Sequence, residues 1–434
     1  MTADPEYTTV RLGDVGQKIG SGATPRGGQD VYIPEGIALI RSQNVYNDRF
    51  ETDGLAYIGA DHAKQLVNVT VQAGDVLLNI TGDSVARCCQ VPSSVLPARV
   101  NQHVAIVRPN PDKLNARYLM YYLVSPTMQQ HMLALAGAGA TRNALTKGMI
   151  EDFRIPSPPL PQQRAIACML GALDDKIDLN RRMNETLEAV ARALFKSWFV
   201  DFHPVRAKME GRATGLPKEM ADRFPDSLED SQLGPIPKGW WIGTVGEEFT
   251  LTMGQSPPGE TYNEMGEGMP FFQGRADFGF RYPSRRVFCT APTRFANPGD
   301  TLVSVRAPVG DMNMALEKCC VGRGVAAIRH KSGRRSFTHY AMRSLTDVFH
   351  DFEAEGTVFG CINKHDFHRM QFIVPPAQLV LGFEKMVLPA DQAIENQIVQ
   401  SHTLAAIRDA LLPKLLSGEL RVKDAGSMTK ETGG

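Results

Sequence analysis

The sequence predicts an α+β chain written twice: two related domains joined by two long antiparallel coiled-coil helices, arranged as a pseudo-twofold tandem repeat. Three observations predict it. Blocks of residues recur in the same order in both halves. Each half opens with short strand-like runs between glycine- and proline-marked turns. Each half then closes with a proline strap followed by a long stretch whose seam residues recur at alternating steps of four and three.

The repeated blocks can be read directly. "GDVLLNITGD" at 74–83 matches "GDTLVSVRAPVGD" at 299–311, and "VAIVR" at 104–108 matches "VAAIR" at 325–329. "IGSGATPRG" at 19–27 matches "TMGQSPPGE" at 252–260, and "LTKGMIEDFRIPSPP" at 145–159 matches "INKHDFHRMQFIVPP" at 362–376. Adjacent cysteines, Cys88-Cys89 and Cys319-Cys320, look like a further match. The separation between matched blocks shrinks along the chain, so length changes fall between blocks, where loops belong. Helices such as "ARYLMYYLVSPTMQQHML" and "THYAMRSLTDVFHDF" follow the strands.

The first long helix carries its seam on Ile166, Leu170, Leu173, Ile177, Asn180, Asn184, Leu187, Ala191, Leu194 and Trp198. The second carries it on Phe383, Val387, Ala390, Ile394, Gln397, Ser401, Leu404, Arg408, Leu411 and Leu415. A seam of this length runs roughly 50 Å at 1.5 Å per residue, more than a small domain needs. Both seams turn polar at the same steps. Antiparallel pairing would set Asn180 against Ser401 and Asn184 against Gln397, where buried polar pairs cost stability and fix register. The alternative is that each helix packs only on its own domain. Residues 204–238, rich in Pro, Gly and charge, read as a linker.

Composition narrows the class. A chain of 434 residues with 43% hydrophobic and 22% charged residues is an ordinary globular protein of two or three domains. Its formal net charge of zero weighs against polyanion binding by bulk charge alone and leaves room for a local basic groove. Seven cysteines, an odd number, argue for reduced thiols and a cytoplasmic location. The N-terminal stretch lacks the basic-then-apolar pattern of a secretory signal, and the most apolar run, 131–140, is too short to span a bilayer, so no membrane partner is expected.

Two related domains held apart by a strut suit a ligand that repeats along its own axis, and duplex DNA is the leading case. No amino-methyltransferase tetrapeptide, phosphate loop or Glu-x-Lys nuclease signature occurs. The cysteine pairs lack metal-ligand spacing. A binding protein is therefore expected, with no catalytic residue and no metal. A stand-alone tandem module for protein or glycan, and a single-chain nuclease or methyltransferase, are the competing readings.

"PPLPQQRAIACMLGALDDKIDLNRRMNETLEAVARALFKSWFVDFHPV" closely resembles the central conserved region of specificity (S) subunits of type I restriction-modification enzymes. "IRDALLPKLLSGELRV" resembles the end of their second conserved region, and "GATRNALTKGMIEDFRIPSPPLPQQ" and "GTVFGCINKHDFHRMQFIVPP" resemble the segments that close their target-recognition domains. The likeness extends from about residue 7 to 423 and departs from the family pattern at Gln162 and at "PPAQLVLGF" in the second copy. It implies target-recognition domain 1 at 1–160, a spacer helix at 161–203, the linker at 204–238, target-recognition domain 2 at 239–375, a second spacer helix at 376–422 and a disordered tail at 423–434. It further implies a split, asymmetric site in double-stranded DNA, two methyltransferase (M) subunits and restriction/translocase (R) subunits as partners. No cofactor is expected in this chain; S-adenosylmethionine, ATP and Mg would belong to the partners. A methylation-only or other defence complex is the alternative setting.

Base reading requires forked donors and amides at loop positions. The first copy offers Arg41, Gln43 and Asn44, then Thr81, Ser84 and Arg87, then Arg142, Asn143 and Lys147. The second offers Gln273, Arg275, Arg306, Thr357, Asn363 and Lys364. Lys147 and Lys364 align, which favours a shared phosphate contact. Phe195, Trp198, Phe199 and Phe202 form an aromatic cluster expected to dock partner subunits, with packing against the recognition domain as the alternative.

Overall fold

The computed structural model describes residues 7–138, 143–306, 308–354 and 360–422. Arg142, Thr357 and the expected tail at 423–434 lie outside the described residues. The chain divides into two compact units, Met1–Asn180 with Gln400–Gly434, and Arg181–Val399. Both divisions fall inside the long helices Leu160–Phe199 and Ala377–Ser417. Each unit therefore owns an α+β domain and half of each helix, whereas the sequence suggested that the helices stand apart.

In the first unit, an antiparallel sheet runs Gly16–Ser21, Val104–Pro109, Val76–Asn79, Cys88–Gln90. Val76 to Asn79 are buried on both faces, which explains an apolar run without alternation. Val76, Leu78, Ala105 and Val107 join a core with the helices Ala116–Val124 and Pro126–Gly137. Leu77, Val104 and Ile106 face the other way, into a core shared with a second sheet ordered Ala98–Val100, Ile37–Ile40, Ala56–Ile58, Tyr32–Ile33. Ile166 and Leu170 of the first long helix and Leu411, Leu412, Leu415 and Leu416 of the second complete the helical layer of this unit.

The second unit repeats this order internally: Phe249–Met253, Val325–His330, Thr301–Ser304, Met312–Met314. Its second sheet sets Cys319–Val321 parallel to Met269–Phe272, as Ala98–Val100 is parallel to Ile37–Ile40. Val303, Ala326 and Ile328 point to the helical core, and Leu302, Val325 and Ala327 to the sheet core. One expected match fails here. Cys88-Cys89 lies in the antiparallel sheet of its unit and Cys319-Cys320 in the other sheet of its own, so the two pairs hold different places. All four are buried, and burial pushes the Cys89 and Cys319 thiols up to about 12, the behaviour of packing residues.

Two small motifs explain why the other blocks recur. A Cβ on Gly22 would meet Val100 O at 2.1 Å, and one on Gly254 would meet Gly322 O at 2.1 Å, because the chain crosses tightly over the neighbouring strand end in each unit. Asp75 receives Arg108 Nε at 2.6 Å and Gln72 N–H at 2.7 Å; Asp300 receives Arg329 Nε at 2.5 Å and Asn297 N–H at 2.7 Å. The matched Gly-Asp and terminal Arg of the two blocks are thus strand clamps, each carboxylate fully paired as burial demands.

The helix ends follow local chemistry. Gln163, 1% exposed, accepts from Asn115 N–H at 2.8 Å and donates to Pro158 O at 2.9 Å, tying the start of Leu160–Phe199 to the proline strap. Gly418, at φ +80°, ends Ala377–Ser417, and Leu420 N–H returns to Lys414 O at 3.0 Å. The expected linker is more structured than its composition suggests. It contains the helix His203–Met209 and a short hairpin, and it buries Val205, Phe224 and Ile236.

Candidate nucleic-acid interface

In the first unit the loop after Asn79 is the hub. Asn79, fully buried, donates from its amide to Ser42 O at 2.8 Å and to Ser84 Oγ at 3.1 Å, fastening the 41–45 segment to the 79–87 loop. On its other side Thr81 bridges Ala144, Gly82 N–H donates to Asn143 O at 3.2 Å and Leu145 N–H to Ile80 O at 2.9 Å. Three segments far apart in sequence, carrying Arg41, Gln43, Ser84, Arg87, Asn143 and Lys147, are thereby joined.

Within this group the side chains differ in freedom. Arg41 donates to Gly54 O at 2.6 Å and lies over Tyr32; Gln43 donates to the same carbonyl at 3.2 Å. Thr81 shares a hydrogen bond with His103 Nδ1 at 2.6 Å, and Lys147 pairs with Glu151 at 3.5 Å. Asn44 departs from expectation. It is fully buried, its carbonyl accepts from Arg41 N–H at 3.0 Å and its amide donates to Glu51 O at 3.0 Å, so it shapes the loop and cannot reach a base edge. Tyr46 and Arg49, which are not among the residues expected above, stand beside it. The guanidinium groups of Arg49 and Arg87 lie 5.0 and 4.8 Å from the Tyr46 ring centroid, holding two forked donors on one aromatic platform. The aromatic–Arg spacing in "VYNDR" was the available signal.

The turn between Tyr46 and Arg49 is completed by Asp48, at φ +61°. Burial pushes its carboxyl up to about 6; Arg408 opposes the shift and Asp174 adds to it. Oδ1 is buried and makes no hydrogen bond. Because the folded pKa lies above the unfolded one, the group's favourable contribution is complete at low pH and is lost as pH rises through 6. Asp48→Asn is therefore expected to stabilise the chain by roughly 2 kcal/mol at pH 8 and by almost nothing at pH 4. Urea unfolding of both chains across that range checks it; a pH-independent difference refutes it.

In the second unit the 304–311 loop plays the hub. Val305 N–H donates to Gly324 O at 2.9 Å, Ile362 N–H donates to Val305 O at 3.0 Å, and Arg306 bridges Cys361. Arg275 reaches Asp311 at 2.7 Å, and Gln273 O accepts from Gly324 N–H at 3.1 Å. Asn363 is the N-cap of Lys364–Arg369, accepting from Asp366 N–H at 3.0 Å, so its amide group is engaged in the cap; Lys364 is the first residue of that helix, as Lys147 is of Lys147–Glu151.

The aromatic cluster is corrected by the structure. Phe195, Trp198, Phe199 and Phe202 are all at most 6% exposed. They pack edge-to-face against Phe224, Trp240, Phe337 and Phe383, with Trp198–Phe224 ring centroids at 5.2 Å and Phe199–Phe337 at 5.5 Å. Their bulk fills the core of the second unit, leaving no ring surface for a partner.

The polar steps of the first helix's seam, Asn180 and Asn184, are also buried. Within the first unit Asn180 Nδ2 donates to Ser401 Oγ at 3.1 Å and to Gln400 Oε1 at 3.0 Å. Within the second, Asn184 is 4% exposed. Among the described residues no helix is long and apolar enough to cross a membrane.

The family model for the type I restriction modification DNA specificity domain matches residues 5–189. The chain is 27% identical over 429 residues to a Methanocaldococcus jannaschii protein assigned as the specificity subunit of type I restriction enzyme MjaX, covering 96% of this chain and 95% of that one. It is 23% identical over 445 residues to the specificity subunit of type I restriction enzyme HindI from Haemophilus influenzae, covering 88% and 94%. A crystal structure of a type I restriction-modification system S subunit from M. genitalium has the same fold, with a TM-score of 0.61 at 15% identity over 96% of this chain and 97% of that chain.

Proposed function

We propose that the chain is a specificity subunit of a type I restriction-modification enzyme, one that reads a bipartite, asymmetric sequence in double-stranded DNA and scaffolds the subunits that act on it. It is the non-catalytic component. Two methyltransferase subunits and restriction/translocase subunits would supply the chemistry, with S-adenosylmethionine, ATP and Mg bound by them.

The observation that carries this reading is repetition with different side chains. Both units use the same strand order, the same glycine crossing and the same Asp–Arg clamp. Their hub loops present unlike donors, Arg41, Gln43, Arg49 and Arg87 in one and Gln273, Arg275 and Arg306 in the other. One scaffold with two sets of forked donors suits two unlike half-sites. The antiparallel coiled coil and its pseudo-twofold axis belong to the same proposal: the Asn180–Ser401 hydrogen bond supports antiparallel register, and Asn184 against Gln397 would be its counterpart.

Co-expression with the cognate methyltransferase subunit, followed by long-read mapping of methylated adenine, tests the proposal. A motif of two defined half-sites around an undefined gap is expected. A continuous motif, or no methylation from a stable complex, would overturn it.

A further inference from the structure

Arg281 lies in the same segment as Gln273 and Arg275, yet it is 2% exposed. Its guanidinium donates to Glu188 on the first long helix and to Tyr340 Oη at 2.7 Å, and pairs with Asp391 on the second long helix at 3.2 Å. Tyr340 Oη lies 3.2 Å from Glu188 and 3.4 Å from Asp391, and Arg343 flanks Glu188 at 3.5 Å. Arg281, Glu188 and Asp391 form one buried cluster, with the half-buried Arg343 at its rim. The backbone here is pinned as well: Met314 N–H donates to Arg281 O at 2.8 Å, and the Asn313 amide holds Gly279 O at 2.8 Å.

The first unit contains the same device with the signs exchanged. Asp48, in the turn beside Tyr46, approaches Arg408 of the second long helix at 3.2 Å; Arg408 pairs with Asp174 of the first at 2.8 Å; and the Tyr121 hydroxyl donates to Asp174. Asp174 and Asp391 each stand eight residues beyond the seam positions Ile166 and Phe383. Here the loop brings the anion and the helix the cation. In the second unit the loop brings the cation.

Buried ion clusters rarely add stability over apolar packing of the same volume, whereas losing one partner leaves an uncompensated buried charge, so the pairing favours one arrangement. Arg281 has no free face to offer a base, and Asp48 is turned toward Arg408. We infer that Asp48 and Arg281 are positioning residues for DNA recognition, locking each reading segment onto its own stretch of the spacer helices so that the unread gap has one length. This rests on the DNA-reading proposal above. The opposite signs make each lock specific to its own unit.

The test uses the full chain in complex with its methyltransferase subunits, with adenine methylation read at sites whose half-sites are correct and whose gap is one base pair too long or too short. Arg281→Met and Tyr340→Phe are expected to raise methylation of such off-gap sites at least tenfold over wild type, Arg281→Lys and Asp48→Asn by less, with half-site bases unchanged. Tyr340→Phe keeps the ring packing and carries the test should Arg281→Met fail to assemble. Asp48→Asn separates positioning from folding, because it is expected to stabilise the chain while loosening the gap. Off-gap methylation at the wild-type level in assembled Tyr340→Phe and Arg281→Lys complexes would overturn the inference. A wild-type complex without a bipartite motif would overturn the DNA-reading proposal itself. The lock would then be judged by hydrogen–deuterium exchange of residues 274–286 in the isolated chain: faster exchange in Tyr340→Phe supports it, and an unchanged rate sinks it.

Discussion

One heptad inserted at the centre of both long helices, between Asn180 and Asn184 and between Gln397 and Ser401, is expected to lengthen the unread gap by about three base pairs and leave both half-site sequences unchanged. Seven residues add about 10.5 Å of helix, and DNA rises about 3.4 Å per base pair. A full heptad returns the apolar seam to the same face, so the pairing survives. An insertion of five would rotate the seam by more than a quarter turn and is expected to abolish methylation. The insertion sites coincide with the division between the two compact units, so neither core is entered. Methylome mapping of the heptad variant decides the matter. An unchanged gap in an active complex would refute the ruler role of the helices.

Trp198→Ala is expected to destabilise the isolated chain by about 3–5 kcal/mol, the range for deleting a large aromatic from a packed core. The indole is 1% exposed and lies among Phe199, Phe224 and Phe383. No partner contact is needed for that loss, so denaturant unfolding of the chain by itself measures it. A Trp198→Ala chain as stable alone as the wild type, yet unable to bind methyltransferase subunits, would restore the docking role that the sequence suggested.

Much of the fold is legible because duplication and periodicity are written in local residue order. The four- and three-residue steps mark both helices; Pro158, Pro159 and Gly418 mark their limits; and Gly22 and Gly254 match because each crosses a neighbouring backbone too closely for a side chain. The candidate interface is legible only as a set of loops. Forked donors on three segments announce themselves by type, but the hydrogen bonds that gather them around Asn79 join residues more than thirty positions apart.

Spacing along the chain carries the recurring residue blocks, the two apolar seams and the segments from which a reader would be built. Only the tertiary structure decided which way each side chain faces. It turned Asn44 inward to cap its own loop, sank Phe195 to Phe202 into a core, separated two cysteine pairs that look equivalent, and brought Arg281 and Asp48 onto the helices. A polar or aromatic residue in a loop has the same appearance in sequence whether it meets solvent or a distant helix. Long-range packing resolves that choice, because burying such a group is tolerable only where a complementary partner already stands.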